Sequence, residues 1–224
     1  VWIEPNVIFN DGAQTQLGTL GGLTDPALGL SWHHYCTVAG LTHSSGGTAG
    51  PDCDVQGELV FDNADAATGR RWASLLTEFG ASDDLPDIER VVSAADGHIV
   101  GWQYWHYKEW GDPTTESEGS GGQGLFESDD DLSSLKENKA DLLVRPFART
   151  VSGVPTAMGF SNGVFSLAWR SSPGVTEVVL PHRHFPRGYV VSVRGARVVS
   201  RPGAFVLLLR TTGPGSASVS VDRR

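Results

Sequence analysis

The stretch "LLTEFGASDD" (Leu75–Asp84) decides how this chain is read. An apolar run, Ala73–Leu76, closes on Thr77 and Glu78, and Phe79, Gly80 and the acidic pair Asp83-Asp84 follow. A carboxylate at the end of an apolar strand needs a reason, and a carboxylate that does chemistry needs a partner. Gly80 lets the chain turn sharply just after it.

The flanking sequence sets the architecture around this stretch. Val1–Ile3 reads as a first strand and Leu28–Cys36 ("LGLSWHHYC") as a second. A Gly/Ser/Thr-rich loop, Thr37–Gly57, separates the second strand from a helix over Glu58–Thr68, with Gly69 as its terminator. Trp72–Glu78 is the third strand. Asp84–Ala95 ("DLPDIERVVSAA") opens on Asp and Pro and spaces Ile88, Val91, Val92 and Ala95 as one helical face. The turn Asp96-Gly97 then leads into a fourth strand, His98–Tyr107. Strands that alternate with helices predict a parallel sheet covered by helices. Function on such sheets gathers at the C-terminal strand ends. Glu78, the group His33, His34 and Tyr35, and Trp105 are all expected at that rim.

The character changes in the second part of the chain. Gly111–Asp131 reads as a Gly/Ser/acid-rich loop and Leu132–Ala140 as a short helix. From Val144 onward short strands recur at Val164–Arg170, Val175–Leu180, Tyr189–Val193, Ala204–Arg210 and Ser216–Val221, divided by "SNG", "SPG", "PRG" and "RPG". This predicts two domains, an α/β part over residues 1–143 and a small antiparallel β-sandwich over 144–224.

Composition narrows the function. The 224 residues are 39% hydrophobic and 19% charged, ordinary values for a globular protein. A net charge of -9 argues against nucleic acid as a partner. No apolar run nears the length of about 20 residues that a transmembrane helix requires. Seven Trp, four of them between Trp72 and Trp110, fit either a sugar-stacking cleft or a core. Cys36 and Cys53 are a candidate disulfide, which implies an oxidising compartment; the alternative is two unrelated thiols. His33, His34 and His43, or His182 and His184 in the surface turn "PHRHFPRG", are weighed as zinc ligands. Adjacent histidines on a strand face opposite ways and no third ligand stands at a recognisable spacing, so no metal is expected. No phosphate loop, nucleophile elbow or dinucleotide fingerprint is present, and no cofactor is expected.

"SWHHYC", "LLTEFGASDD" and "GWQYWHYKEW", in this order, resemble the last three barrel strands of glycoside hydrolase family 5, and within it the endoglycoceramidases. "RPFARTVSGVPTAMGFSNGVFSLAWR" resembles the start of the β-sandwich that follows their barrel. The resemblance implies the C-terminal half of a (β/α)8 TIM barrel, strands five to eight, then the sandwich. It implies a retaining mechanism with two glutamates. Glu78 matches the nucleophile, His33 and Tyr35 match a His-x-Tyr pair whose Tyr bonds it, and Trp105 matches the Trp beneath the reacting sugar.

The family's acid/base lies in an Asn-Glu-Pro motif on the fourth strand, which has no match here. Glu4-Pro5 follows Ile3, not Asn, and one clear strand lies between Glu4 and Glu78 where the family has two. Val1–Pro5 is therefore read as the fifth strand. Half a barrel leaves open edges, so the expected partner is an N-terminal part of the same enzyme, from a split or nicked chain. The resemblance implies a bacterial, secreted hydrolase acting on glycosphingolipids. Alternatives are a family 5 β-glycosidase acting on another lipid or steryl glycoside, and a non-catalytic carbohydrate-binding fragment.

Overall fold

Four short strands run parallel in the first part of the chain: β1 (Trp2–Ile3), β2 (Gly29–His34), β3 (Ala73–Phe79) and β4 (Gly101–Trp102), adjacent in that order. The computed structural model describes residues 1–17, 25, 27–36, 51–69, 72–107 and 124–224. These form two compact units, residues 1–95 with 100–142, and residues 96–99 with 143–224. Among the described residues no helix is long and apolar enough to cross a membrane. His43 and Trp110, and much of the two expected loops, lie outside the described residues.

In the first unit, β2 is buried along almost its whole length, as a parallel strand covered on both faces must be. Helix α1 (Pro51–Thr68) joins β2 to β3, and α2 (Leu85–His98) joins β3 to β4. Trp32 on β2 packs edge-on against Phe9 and Phe61, with ring centroids at 6.4 and 6.0 Å. Val60, Phe61 and Ala64 of α1 and Ile88, Val91, Val92 and Ala95 of α2 are buried, the faces their spacing predicts.

Several boundaries differ from the sequence reading. Helix α1 starts at Pro51, well inside the expected loop; proline suits a first helical turn, and Asp52 and Asp54 complement its dipole. Helix α2 runs through the expected Asp96-Gly97 turn and stops at Ile99, which takes a left-handed φ of 59° while Val100 N–H bonds back to Ala95 O at 2.8 Å. The fourth strand accordingly keeps only Gly101–Trp102. The expected helix over Leu132–Ala140 is a 3-10 turn, Leu132–Ser134, and a separate α3 (Glu137–Leu143), divided where Leu135 bridges to Phe126.

The second unit holds two four-stranded antiparallel sheets. One has the order β10 (Ala196–Val198), β11 (Val206–Thr211), β8 (Val175–Val179), β5 (Phe147–Thr150). The other has the order β6 (Gly153–Ser161), β7 (Val164–Ser171), β12 (Gly215–Arg223), β9 (Tyr189–Arg194). Phe165, Leu167 and Trp169 of one sheet share a single hydrophobic cluster with Val178, Leu207 and Leu209 of the other. That is a sandwich core.

The five strands anticipated from sequence are present within a residue or two at their ends. Strands β5, β6 and β10 were not anticipated. β6 carries Pro155 and two glycines, and β10 is only three residues long. The segment "PHRHFPRG" is not simply a surface turn: His184 and Phe185 are buried, with the His184 ring 4.7 Å from that of Phe160.

Candidate functional site

Parallel pairing brings all four strand ends to one rim, and the register decides which side chains meet there. β2 and β3 pair Trp32 with Leu76 and then His33 with Glu78, so Thr77 is an extra residue on β3. The Thr77 hydroxyl occupies this bulge by donating to Trp32 O at 2.9 Å. A bulge re-aims the side chains that follow it. Here it leaves Leu76 and Phe79 in the core and sets Glu78 beside His33 at the rim. On β2, Asn10 Oδ1 accepts from the His33 backbone N–H at 3.1 Å.

The acidic patch beyond Glu78 has structural work. Asp84 caps α2, its carboxylate accepting from Asp87 N–H at 3.2 Å. Asp83 pairs with the buried Lys139 at 2.5 Å and with Lys136 at 3.1 Å. Gly80 has φ 98°, and a Cβ there would collide with the Tyr104 ring. The turn in "FGASDD" therefore requires glycine.

Three sequence-predicted residues meet. The Tyr35 hydroxyl donates to Glu78 Oε2 at 2.9 Å, and His33 Nδ1 lies 3.2 Å from the same oxygen. Both contacts fall on Oε2; among the described residues nothing bonds Oε1. Glu78 and His33 keep 27% and 29% of their side-chain surface, enough for a ligand to reach them. Glu4, which directly follows β1, stands with Oε1 3.4 Å from His33 Nε2. The contact of Glu4 with His33 depends on β1 pairing with β2, which no local motif announces.

Trp105 sits one strand further along the rim. It forms a parallel bridge with Gly80, its N–H bonds Phe79 O at 2.8 Å, and its carbonyl accepts from Ala81 N–H at 2.6 Å. The Trp105-His106 peptide is cis. Trp105 therefore stands beside β3, level with Gly80, although β4 itself is brief.

The two neighbouring histidines part as strand geometry requires. His34 is buried, its ring nitrogens have no hydrogen-bond partner among the described residues, and Gly57 of α1 leaves room beside it. Burial, reinforced by nearby Arg90, lowers its pKa to about 4. It stays neutral at ordinary pH and lies apart from the carboxylates that flank His33. Cys36, just past Tyr35, forms a disulfide with Cys53 on α1, the two Cα atoms 5.4 Å apart. The bond anchors the chain immediately after the Tyr35 hydroxyl's strand end.

Residues 145–221 match the family model described as the glycoside hydrolase family 5 C-terminal domain. Endoglycoceramidase I of Rhodococcus hoagii (strain 103S) is 29% identical over 237 residues, an alignment covering 100% of this chain and 43% of that protein. Among solved structures, endo-glycoceramidase II from Rhodococcus sp. in its ganglioside GM3 complex superposes with a TM-score of 0.74 at 23% identity, covering 100% of this chain and 49% of that one. Cryptococcus neoformans sterylglucosidase 1 superposes with a TM-score of 0.65 at 14% identity, covering 88% of this chain and 39% of that one. The chain spans half or less of the length of each of these relatives.

Proposed function

We infer that this chain, endoglycoceramidase-like along its length and with a family 5 C-terminal domain at residues 145–221, acts as the C-terminal part of a retaining glycosidase. The reaction is cleavage of the β-glycosidic bond between oligosaccharide and ceramide in glycosphingolipids. In this reading residues 1–143 are strands five to eight of a (β/α)8 barrel and 144–224 the sandwich that follows it. An N-terminal portion supplies the other strands and the acid/base. The observation that carries the proposal is the convergence of Tyr35 and His33 on one oxygen of Glu78 at the strand-end rim.

The geometry suits a carboxylate nucleophile. Tyr35 and His33 hold Oε2, which fixes the rotation of the carboxylate and turns Oε1 toward substrate. Oε1 attacks the anomeric carbon of the first sugar, and the bond to the ceramide oxygen breaks as that oxygen takes a proton from the acid/base. A glycosyl ester on Glu78 results. The same acid/base, now deprotonated, removes a proton from water, which attacks the anomeric carbon and frees Glu78. A retaining site needs the two carboxyl groups about 5–5.5 Å apart. Trp105 serves as the floor beneath the sugar ring. The Cys36–Cys53 disulfide favours an oxidising compartment and fits secretion by a bacterium.

The test is hydrolysis of a fluorescent ganglioside by the chain together with its N-terminal portion, with steryl glucoside as the competing substrate. Intact oligosaccharide and ceramide should appear in equal amounts, and Glu78→Gln should stop their release. Preference for steryl glucoside would redirect the substrate, and sugar binding without hydrolysis would leave a binding fragment.

A further inference from the structure

The chain's average charge hides two opposite regions. Residues 1–143 hold 6 basic and 24 acidic side chains, whereas residues 144–224 hold 11 arginines, no lysine and only Glu177 and Asp222 as acids. A second unit this basic has an electrostatic attraction to anionic surfaces that the whole-chain value of -9 conceals.

Arginines and exposed apolar side chains come together at the tip of one hairpin. The hairpin from β10 to β11 reads "VVSRPGAF" (Val198–Phe205), and it exposes Val198, Val199 and Phe205 at 40, 40 and 59% of their surface. The hairpin is held in shape: Val199 N–H bonds Leu208 O at 2.9 Å, Ser200 Oγ accepts from Leu208 N–H at 3.2 Å, and the Tyr189 hydroxyl donates to Ala204 O at 2.8 Å. Beside it opens a cleft of about 410 Å3 with Val198 and Leu207 among its walls and Arg187, Arg201 and Arg224 around it. Among the described residues these three guanidinium groups make no ion pair. A rigid loop that offers an aromatic ring and two valines to solvent, beside unpaired arginines, matches a lipid interface: apolar tips enter the acyl boundary while guanidinium groups meet phosphates.

We propose that the Val198–Phe205 hairpin and the arginine-rimmed cleft dock the protein on an anionic lipid surface. Nucleic acid, the other polyanion that could attract eleven arginines, gives no reason for the exposed Val198, Val199 and Phe205. The proposal is independent of the hydrolytic reading, because it concerns binding to lipid that contains no glycoside.

Flotation of the chain, together with its N-terminal portion, with vesicles tests it. Binding is expected to vesicles of phosphatidylcholine with phosphatidylglycerol, not to phosphatidylcholine alone, and to weaken as salt rises. Arg187→Glu with Arg201→Glu should weaken partition by roughly tenfold or more, in line with the attraction each basic residue feels near an anionic bilayer. Phe205→Ser should weaken it at every salt concentration. Arg194→Glu with Arg210→Glu makes the same charge change at exposed positions away from the cleft and should have the smaller effect. Thermal melts should show all variants folded. Equal binding to both vesicle types, equal loss in the two double variants, or binding to heparin and duplex DNA but not to anionic vesicles would each overturn the proposal.

Discussion

The parallel sheet of the first unit and the antiparallel sheets of the second place their polar groups by different rules. β2 is buried at five of its six residues, so its one half-open position, His33, is where a side chain can serve chemistry, and Tyr35 follows just beyond its end. On β7 the burial alternates residue by residue, and β12 alternates in the same way along most of its length. An outer face is therefore open along each of those strands, and Arg170 of β7 stands on it. Strands covered on both sides can present function only at their ends, whereas strands with one open face can present it anywhere along that face. The proposed nucleophile stands at a strand end of the first unit, and the proposed lipid contact on the hairpin that joins β10 to β11 in the second.

The largest expected effect lies in the first unit. Glu78→Gln should lower turnover at least about a thousand-fold, the scale expected when a group that acts on the reacting atoms is removed. The melting temperature should hold, since Glu78 is a quarter exposed and bonded only at its rim. In the second unit the matching disruption is structural: Trp169→Ala, in the shared core, should cost about 3–5 kcal/mol in chemical denaturation. If Trp169→Ala instead left stability unchanged, the two sheets would not depend on a common core.

The smaller effects lie within the first unit. Cys36→Ser should cost roughly 3 kcal/mol, as expected for a cross-link spanning 17 residues, and a reductant should lower the melting point of the parent but not of the variant. His34 gives a pH signature. Its folded pKa is lowered to about 4, against 6.5 for the free side chain, so the unfolded state binds a proton first as pH falls. Stability should therefore decline from about pH 6.5 down to about pH 4, by as much as about 3 kcal/mol, and His34→Gln should flatten that slope in denaturation at several pH values. Smallest is Tyr35→Phe, which removes one hydrogen bond to a carboxylate and should reduce kcat by about tenfold with little change in stability.

Much of this was legible in the residues themselves. The helix-strand alternation of the first unit, the five longer strands of the second and the convergence of Glu78, His33 and Tyr35 could be anticipated from apolar periodicity, turn residues and ordered motifs. What escaped depended on pairing rather than on pattern. The bulge at Thr77 exists only as a register between β2 and β3, so the sequence alone could not say that Glu78 and His33 stand opposite each other. Glu4 reaches His33 because β1 pairs with β2. Asp96-Gly97 carries a turn signature, yet the helix passes through it and ends at Ile99. The charge division was present in the sequence but invisible in a whole-chain average.

The nucleophile assignment is most directly tested by trapping. The chain, with its N-terminal portion, would be treated with a 2-deoxy-2-fluoro lactosyl fluoride, digested and mapped by mass spectrometry. The account predicts one added fluoroglycosyl group, carried by Glu78. A label on Glu4 or any other carboxylate, or continued hydrolysis with no covalent adduct, would contradict it.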